Sequence, residues 1–186
     1  PAATAEPITP ETFGPIACIS RKLPGFSSWP TFWLTRAAIG TAETVHAATR
    51  GENITVIFIN NTTYGMTGGQ MAPTTLPGQV TQTTPYGRNP DVEGFPVRVC
   101  EMVSTLSGVA LAERVTVTDP ANIRKAKAAI RKGFEFQKNK QGFSLIEVLS
   151  TCPTNWGLSP VEAIKWLKDN MVPYYPLGVF KEGAIR

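Results

Sequence analysis

The strongest constraint on the fold of this chain is a run of β-branched and aromatic residues that ends in two asparagines. Residues 54–59 read ITVIFI, Asn60 and Asn61 follow, and three glycines lie among residues 62–69. An apolar run of this kind is typical of a strand that is buried on both faces of a parallel sheet. Because glycine lets the backbone approach a bound molecule closely, the segment predicts a buried strand whose carboxyl end opens into a ligand-binding loop.

The chain after residue 36 alternates between strand and helix patterns. Asp119 before Pro120 predicts a helix N-cap followed by proline at the first helical position, and Ser159 with Glu162 resembles a capping box. Strands that alternate with helices of this length predict an α/β fold, with a mostly parallel sheet covered by helices on both faces. The predicted helices are residues 36–50, 97–106, 120–138 and 161–171, and the predicted strands are residues 53–59, 112–118 and 142–149.

Residues 65–96 contain many glycines, prolines and threonines and show no apolar period. We interpret them as one long ordered loop that follows the asparagine pair. Loops of this length are uncommon inside compact domains and usually carry function, and parallel sheets bind ligands at the carboxyl ends of their strands. The loop is therefore the predicted functional region of the chain.

Composition narrows the classes of protein to which the chain can belong. With 186 residues, 42% hydrophobic and 17% charged, it is typical of one globular domain. The net charge of +4 is modest and basic residues are interspersed with acidic ones, which disfavours nucleic-acid binding. No apolar run reaches the length of about 18 residues that spans a bilayer, so we expect a cytoplasmic protein without membrane contact. Cys18, Cys100 and Cys152 are odd in number and far apart, which argues against a disulfide framework.

A specific family resemblance is carried by residues 56–75, which read VIFINNTTYGMTGGQMAPTT. This segment resembles the thiamine-diphosphate-binding β subunit of 2-oxoacid:ferredoxin oxidoreductases, of the type that acts on 2-oxoglutarate or branched-chain 2-oxoacids. Residues 79–88 and 152–157 extend the resemblance. It implies a three-layer, mostly parallel thiamine-diphosphate-binding fold, in which residues 37–186 form the C-terminal two-thirds of the family domain and residues 1–36 are an unmatched, Pro-rich leader.

The resemblance also implies a cofactor site in the loop after the asparagine pair. In the family, Mg²⁺ joins the cofactor diphosphate to the protein, and this small ion prefers oxygen ligands. Asn61 would supply a side-chain oxygen and Thr63 a backbone carbonyl, while Asn60 would steady the loop. Taken alone, the asparagine pair is also compatible with a simple turn. The predicted cofactor-binding residues are Asn60, Asn61, Thr63, Tyr64, Gly65, Met66, Thr67, Gly68, Gly69 and Gln70.

The implied activity is the oxidative decarboxylation of a 2-oxoacid to an acyl-coenzyme A, with electron transfer to ferredoxin. The implied partners are the α subunit of the same oxidoreductase, ferredoxin, the 2-oxoacid and coenzyme A. The family also holds a [4Fe–4S] cluster, and Cys152 resembles its fourth cysteine ligand. Cys18 and Cys100 do not match the other ligands, so we expect Cys152 to be an orphan ligand and this chain alone to hold no cluster.

The resemblance breaks in the N-terminal part of the chain. The family's Gly-Asp-Gly motif would fall on residues 32–36, which read FWLTR, and Trp33 takes the position of the magnesium carboxylate. The first aspartate of the chain is Asp91. We therefore expect the N-terminal third of the family domain to be missing or replaced. The alternative function is a non-catalytic remnant or subunit-assembly module that binds the cofactor weakly or not at all.

Overall fold

A computed structural model describes residues 40–183 of the chain. The predictions that concern residues 1–36, including the leader, Cys18 and Trp33, lie outside the described residues. Within them the elements, in chain order, are α1 (Thr41–Thr49), β1 (Thr55–Asn60), β2 (Thr63–Tyr64), β3 (Gln70–Met71), α2 (Pro90–Glu93), α3 (Val99–Ser104), β4 (Val109–Thr116), α4 (Pro120–Lys138), β5 (Phe143–Leu149), α5 (Pro153–Trp156), α6 (Pro160–Trp166), α7 (Val172–Tyr174) and β6 (Gly178–Glu182).

Four of the strands form one sheet in the order β1-β5-β4-β6. Strands β1, β5 and β4 are parallel, and β6 runs antiparallel to β4. Asn60 and Thr116 both lie opposite Leu149, so the three parallel strands end level with one another. We call this end of the sheet the carboxyl edge, and it is where ligands bind in open parallel sheets.

Helices cover both faces of the sheet. Residues of α3 such as Val99 and Val103 pack with Val56, Phe58 and Leu145 on one face, where α1 also lies. Helix α4 covers the other face through buried small residues that recur at helical spacing, namely Ala126, Ala129 and Gly133. The predicted three-layer, mostly parallel α/β fold is confirmed. No helix among residues 40–183 is both long enough and apolar enough to cross a bilayer.

The predicted starts of α4 and α6 are confirmed, because the groups that cap these helices lie within three residues of the helix start. The Asp119 side chain accepts a hydrogen bond from the Asn122 backbone N–H at 3.0 Å, and α4 begins at the next residue. At α6, the Ser159 backbone N–H donates to Glu162 Oε2 at 3.0 Å and the Ser159 hydroxyl accepts from the Glu162 N–H, which completes the predicted capping box. Beyond α6 the helix continues through a π-helical turn, Leu167–Met171, into α7.

Several features differ from the sequence prediction. Strand β4 lies at Val109–Thr116 rather than at residues 112–118, and the short helix α5 was not predicted. The long loop contains the short β2–β3 hairpin, closed by a 3-10 turn at Gly65–Thr67, and the four-residue helix α2. Strand β6 was not predicted, because its five residues are mostly exposed and carry no clear alternation. Its extended conformation is supported by pairing with β4, a contact between distant parts of the chain.

Gly108, just before β4, packs closely against the end of helix α1, so a substitution at Gly108 tests how tightly α1 is held against the sheet. A Cβ atom at Gly108 would lie 2.5 Å from the Gly51 backbone nitrogen and closer still to the Ala48 carbonyl oxygen. Backbone atoms cannot rotate away as a side chain can, so Gly108→Ala should lower the free energy of unfolding by about 1–3 kcal/mol. Urea denaturation measures this, with Ser107→Ala at the exposed neighbouring position as the control. Equal stability of the two variants would contradict the close packing.

Candidate functional site

The loop that follows β1 stands at the carboxyl edge of the sheet. Residues 61–71 fold back on themselves as the β2–β3 hairpin, in which Thr63 pairs with Met71 and Tyr64 with Gln70. The Gly69 N–H also donates to the Tyr64 carbonyl at 3.0 Å. We refer to this segment as the 61–71 loop, and it contains every predicted cofactor-binding residue except Asn60.

Asn60 is buried and its amide is used inside the protein. The Nδ2 group donates to Glu147 Oε1 at 2.8 Å, and Oδ1 accepts from the Thr62 backbone N–H at 3.1 Å. Because an ionised carboxylate can only accept, the group of Asn60 that faces Glu147 must be the NH₂. This fixes Oδ1 toward Thr62, and Asn60 thereby joins strand β5 to the start of the 61–71 loop.

Thr62 adopts a backbone conformation that threonine rarely takes. Its φ is 59°, in the left-handed region, and its side chain is fully buried. A β-branched residue is strained there, and such a conformation persists only where the surroundings hold it. Thr75 Oγ1 donates to the Thr62 carbonyl, and Gln79 Nε2 donates to Thr62 Oγ1 at 2.7 Å. Together with Asn60, these contacts preset the turn that presents the residues on either side of Thr62.

Those two residues, Asn61 and Thr63, are the predicted metal ligands. Asn61 Oδ1 accepts a long hydrogen bond, 3.3 Å, from the Thr63 N–H. The Thr63 hydroxyl is buried and has no hydrogen-bond partner among the described residues. Neutral side-chain and backbone oxygens suit a hard cation such as Mg²⁺. Residues 40–183 contain no cluster of three His, Cys, Asp or Glu side chains that could hold a metal. The oxygens that Asn61 and Thr63 offer belong to amide, carbonyl and hydroxyl groups, which carry no formal charge.

Two of the three glycines of the loop, Gly65 and Gly69, lie against α5 and the residue that precedes it, whereas Gly68 faces open space. A Cβ atom on Gly65 would lie 3.1 Å from Asn155 Nδ2 and 3.3 Å from Cys152 Sγ, and one on Gly69 would lie 2.8 Å from Asn155 Oδ1. Asn155 Nδ2 donates to the Gly65 carbonyl at 3.3 Å and to Cys152 Sγ at 3.1 Å. The fold therefore brings Cys152 beside the loop, and any larger residue at Gly65 or Gly69 would displace Asn155.

The tip of the loop is open to solvent. Met66 is 91% exposed, and Thr67, Gly68 and Gln70 are exposed as well. The Thr67 hydroxyl donates to Gln70 Oε1 at 2.6 Å, which closes the tip on itself. The predicted site residues thus fall into a buried or half-buried base and an exposed tip that a ligand can reach.

A buried polar network lies beneath the loop and was not predicted from the sequence. Arg114 on β4 is directly opposite Glu147 on β5, and its Nε donates to Glu147 Oε2 at 2.9 Å. The other end of the guanidinium donates to both carboxylate oxygens of Glu101 on α3. Burial would lower the pKa of Arg114, but the Glu101 hydrogen bond and the Glu147 charge raise it overall. We call Glu101, Arg114, Glu147 and Asn60 the buried polar network.

A signal for this network was present in the sequence. Glu147 and Arg114 are charged residues inside mostly apolar strands, although Arg114 directly follows Glu113, and charges at such positions are rarely buried unless they are paired. Their pairing could not be deduced, because it depends on which strands become neighbours.

Arg88 holds the remainder of the long loop together. Its buried guanidinium donates to the carbonyls of Pro73, Thr75, Glu93 and Gly94 at 2.7–3.2 Å. Burial lowers the pKa of Arg88, although nearby side chains oppose the shift. A single arginine thus joins the two ends of the segment from residue 73 to residue 94, and the prediction of an ordered loop is confirmed.

Comparison with known proteins reveals relatives of this chain. The family described as "Thiamine pyrophosphate enzyme, C-terminal TPP binding domain" matches residues 37–148. Ketoisovalerate oxidoreductase subunit VorA of Methanothermobacter marburgensis is 47% identical over 146 residues, which are 78% of this chain and 30% of VorA. 2-Oxoglutarate synthase subunit KorB of Methanothermobacter thermautotrophicus is 41% identical over 139 residues, 72% of this chain and 44% of KorB. The chain therefore spans less than half the length of these relatives.

A solved structure supports the fold. The 2-oxoglutarate:ferredoxin oxidoreductase from Magnetococcus marinus, solved with 2-oxoglutarate, coenzyme A and succinyl-CoA bound, superposes with a TM-score of 0.60 at 18% sequence identity. The match covers 81% of this chain and 54% of that one. At this identity the similarity establishes the architecture alone.

Arg88→Ala tests whether this side chain orders the long loop. Without the guanidinium, several backbone carbonyls lose their donors, so local opening should become easier. We expect chymotrypsin to cleave at the fully exposed Tyr86 at least about tenfold faster than in the unaltered protein, because local opening controls proteolysis. Arg98→Ala, which removes an exposed guanidinium lying over the Tyr174 ring, is the control and should leave the cleavage rate unchanged. An unchanged rate in Arg88→Ala would contradict this role.

Proposed function

The chain belongs to the family of the thiamine pyrophosphate enzyme C-terminal TPP-binding domain, and from this premise we propose that it is the cofactor-binding β subunit of a 2-oxoacid:ferredoxin oxidoreductase. The observation that carries the proposal is the 61–71 loop. It lies inside the matched region, leaves the carboxyl edge of a parallel sheet, and is held in a strained shape by buried side chains. Preset loops of this kind are typical of ligand sites.

In the proposed site, Asn61 Oδ1 and the Thr63 carbonyl hold Mg²⁺ together with the cofactor diphosphate. Asn60 supports the loop from its buried position at the end of β1. Tyr64, Gly65 and the exposed tip of the loop face the cofactor and the substrate. The support is the neutral oxygen character of the turn and the unpartnered Thr63 hydroxyl. When bound, thiamine diphosphate stabilises the negative charge that remains on the carbonyl carbon after carbon dioxide leaves a 2-oxoacid. The protein residues position the reactants and keep the loop in one shape.

The proposed reaction converts a 2-oxoacid and coenzyme A to an acyl-coenzyme A with loss of carbon dioxide, and passes two electrons to ferredoxin. The names of the relatives support a 2-oxoacid of the ketoisovalerate or 2-oxoglutarate class. The proposed partners are the α subunit and ferredoxin. We further propose that Cys152 corresponds to one ligand of the family's [4Fe–4S] cluster, and that this chain alone holds no such cluster because the other cysteine ligands are not matched. We also propose that residues 37–186 form the cofactor-binding domain of a cytoplasmic protein. The free thiols of Cys100 and Cys152 are compatible with that location.

A second candidate is a non-catalytic remnant or assembly module with the same fold. The observation that favours it is the absence of a metal-binding cluster of His, Cys, Asp or Glu within residues 40–183. A hard cation held only by neutral protein oxygens binds less tightly than one held by a carboxylate.

Titration with thiamine diphosphate and Mg²⁺ separates the two candidates. If the chain is a cofactor-binding subunit, calorimetry should give a dissociation constant in the micromolar range, and Asn61→Ala should weaken it at least about tenfold through loss of one metal ligand. Asn53→Ala makes the same change just before the amino end of the same strand and should bind like the unaltered protein. Binding no tighter than millimolar, unaffected by Asn61→Ala, would support the remnant instead.

A further inference from the structure

The buried polar network is connected to the proposed cofactor loop through one side chain, that of Asn60. Glu147 uses one carboxylate oxygen for Arg114 Nε, at 2.9 Å, and the other for Asn60 Nδ2, at 2.8 Å. Asn60 Oδ1 in turn accepts from the N–H of Thr62, at 3.1 Å. The side chains of Arg114 and Glu147 are 0% exposed, so water cannot replace any of these partners.

We propose that Glu147 and Arg114 are positioning residues for the cofactor site, which set the orientation of the Asn60 amide and thereby hold Thr62 in its left-handed turn. This inference rests on the proposed function, because the turn matters only if the 61–71 loop binds the cofactor. It assigns to two strand residues outside the loop a role in shaping the positions of Asn61 and Thr63. Neither residue is part of the matched sequence motif at residues 56–75.

The physical basis is the number of acceptors on the side chain at position 147. A carboxylate has two acceptor oxygens and can therefore serve both Arg114 and Asn60. A glutamine introduced by Glu147→Gln has one acceptor and one donor. The guanidinium has only donors and cannot reverse, so it would take the single acceptor of the introduced glutamine. The NH₂ group of that glutamine would then face Asn60.

This change in hydrogen bonding would alter the contacts of the loop. Two NH₂ groups cannot hydrogen-bond to each other, so the Asn60 amide would turn over and direct its Oδ1 toward the introduced glutamine. Its NH₂ group would then face the Thr62 N–H, and that buried donor would lose its acceptor. Thr62 would be left in a strained conformation with one of its hydrogen-bonded restraints removed.

The same reasoning predicts a compensating pair of substitutions. With aspartate in place of Asn60, one oxygen can accept from the NH₂ group of the introduced glutamine and the other from the Thr62 N–H. The double variant Glu147→Gln/Asn60→Asp keeps one negative charge between strands β1 and β5, as in the natural protein. Asn60→Asp alone would instead set two carboxylates within about 3 Å of each other, where like charges repel strongly.

Glu101→Gln is the matched control. It removes a carboxylate from the same Arg114 guanidinium but does not touch Asn60. A purely structural effect of losing one ion-pair partner should therefore appear in both Glu101→Gln and Glu147→Gln. An effect that passes through Asn60 should appear in Glu147→Gln alone.

The experiment follows two readouts in the full chain. The first is the hydrogen-exchange rate of the Thr62 amide, measured by NMR, which does not depend on cofactor binding. The second is the dissociation constant for thiamine diphosphate with Mg²⁺, measured by calorimetry. We expect Glu147→Gln to raise both at least about tenfold, as expected for loss of one buried hydrogen bond, and the double variant to return the Thr62 exchange rate to within about threefold of the natural protein. Glu101→Gln should lower the melting temperature and leave both readouts unchanged.

Several results would overturn the inference. They are an unchanged Thr62 exchange rate in Glu147→Gln, a double variant that is no better than the single one, or the same loop effect in Glu101→Gln. If Glu147→Gln does not fold, recovery of folding in the double variant supports the inference and continued failure to fold refutes it. If the natural protein does not bind thiamine diphosphate but the exchange pattern follows the expectation, the control of the Thr62 turn by Glu147 through Asn60 stands, and the proposed function fails together with the role in cofactor positioning.

Discussion

The buried ion pair between Arg114 and Glu147 is the interaction on which the rest of the structure depends. Both side chains are 0% exposed, and two isolated charges in such a place would each cost several kcal/mol. That cost is offset because neighbouring elements supply partners: Glu101 from α3, the Pro176 carbonyl just before β6, and Asn60 from β1. The pair therefore constrains how four strands and one helix meet, since a shift of any of them would leave a buried charge without a partner.

The ion pair also explains why the candidate site can be strained. The left-handed Thr62 needs restraints that do not move, and one of them comes from Asn60, whose orientation is set by Glu147. The others come from the long loop, which Arg88 closes from its own buried position. Strain of this kind is compatible with marginal stability only where the surrounding structure is rigid. The strained conformation of Thr62 in the loop therefore requires that the side chains packed beneath it stay in place.

Much of the fold could be predicted from the sequence where the causes are local. The N-caps at Asp119 and Ser159 depend on groups within three residues, and the strand before Asn60 is marked by its own apolar run. Strand β6 could not be predicted, because its conformation depends on pairing with β4. The candidate site was predicted in the same uneven way: the motif marks the loop, but the contact between Asn155 and Gly65 joins residues 90 positions apart.

The sequence by itself determined the α/β class, the position of the loop at a strand end and the family resemblance, because periodicity, capping and motif are written in neighbouring residues. Only the tertiary structure decided which charges are paired and which side chain holds the loop. Glu147 meets Asn60 and Arg114 across 87 and 33 positions of the chain. Such contacts exist only after the strands have taken their order and register, so no local pattern can specify them.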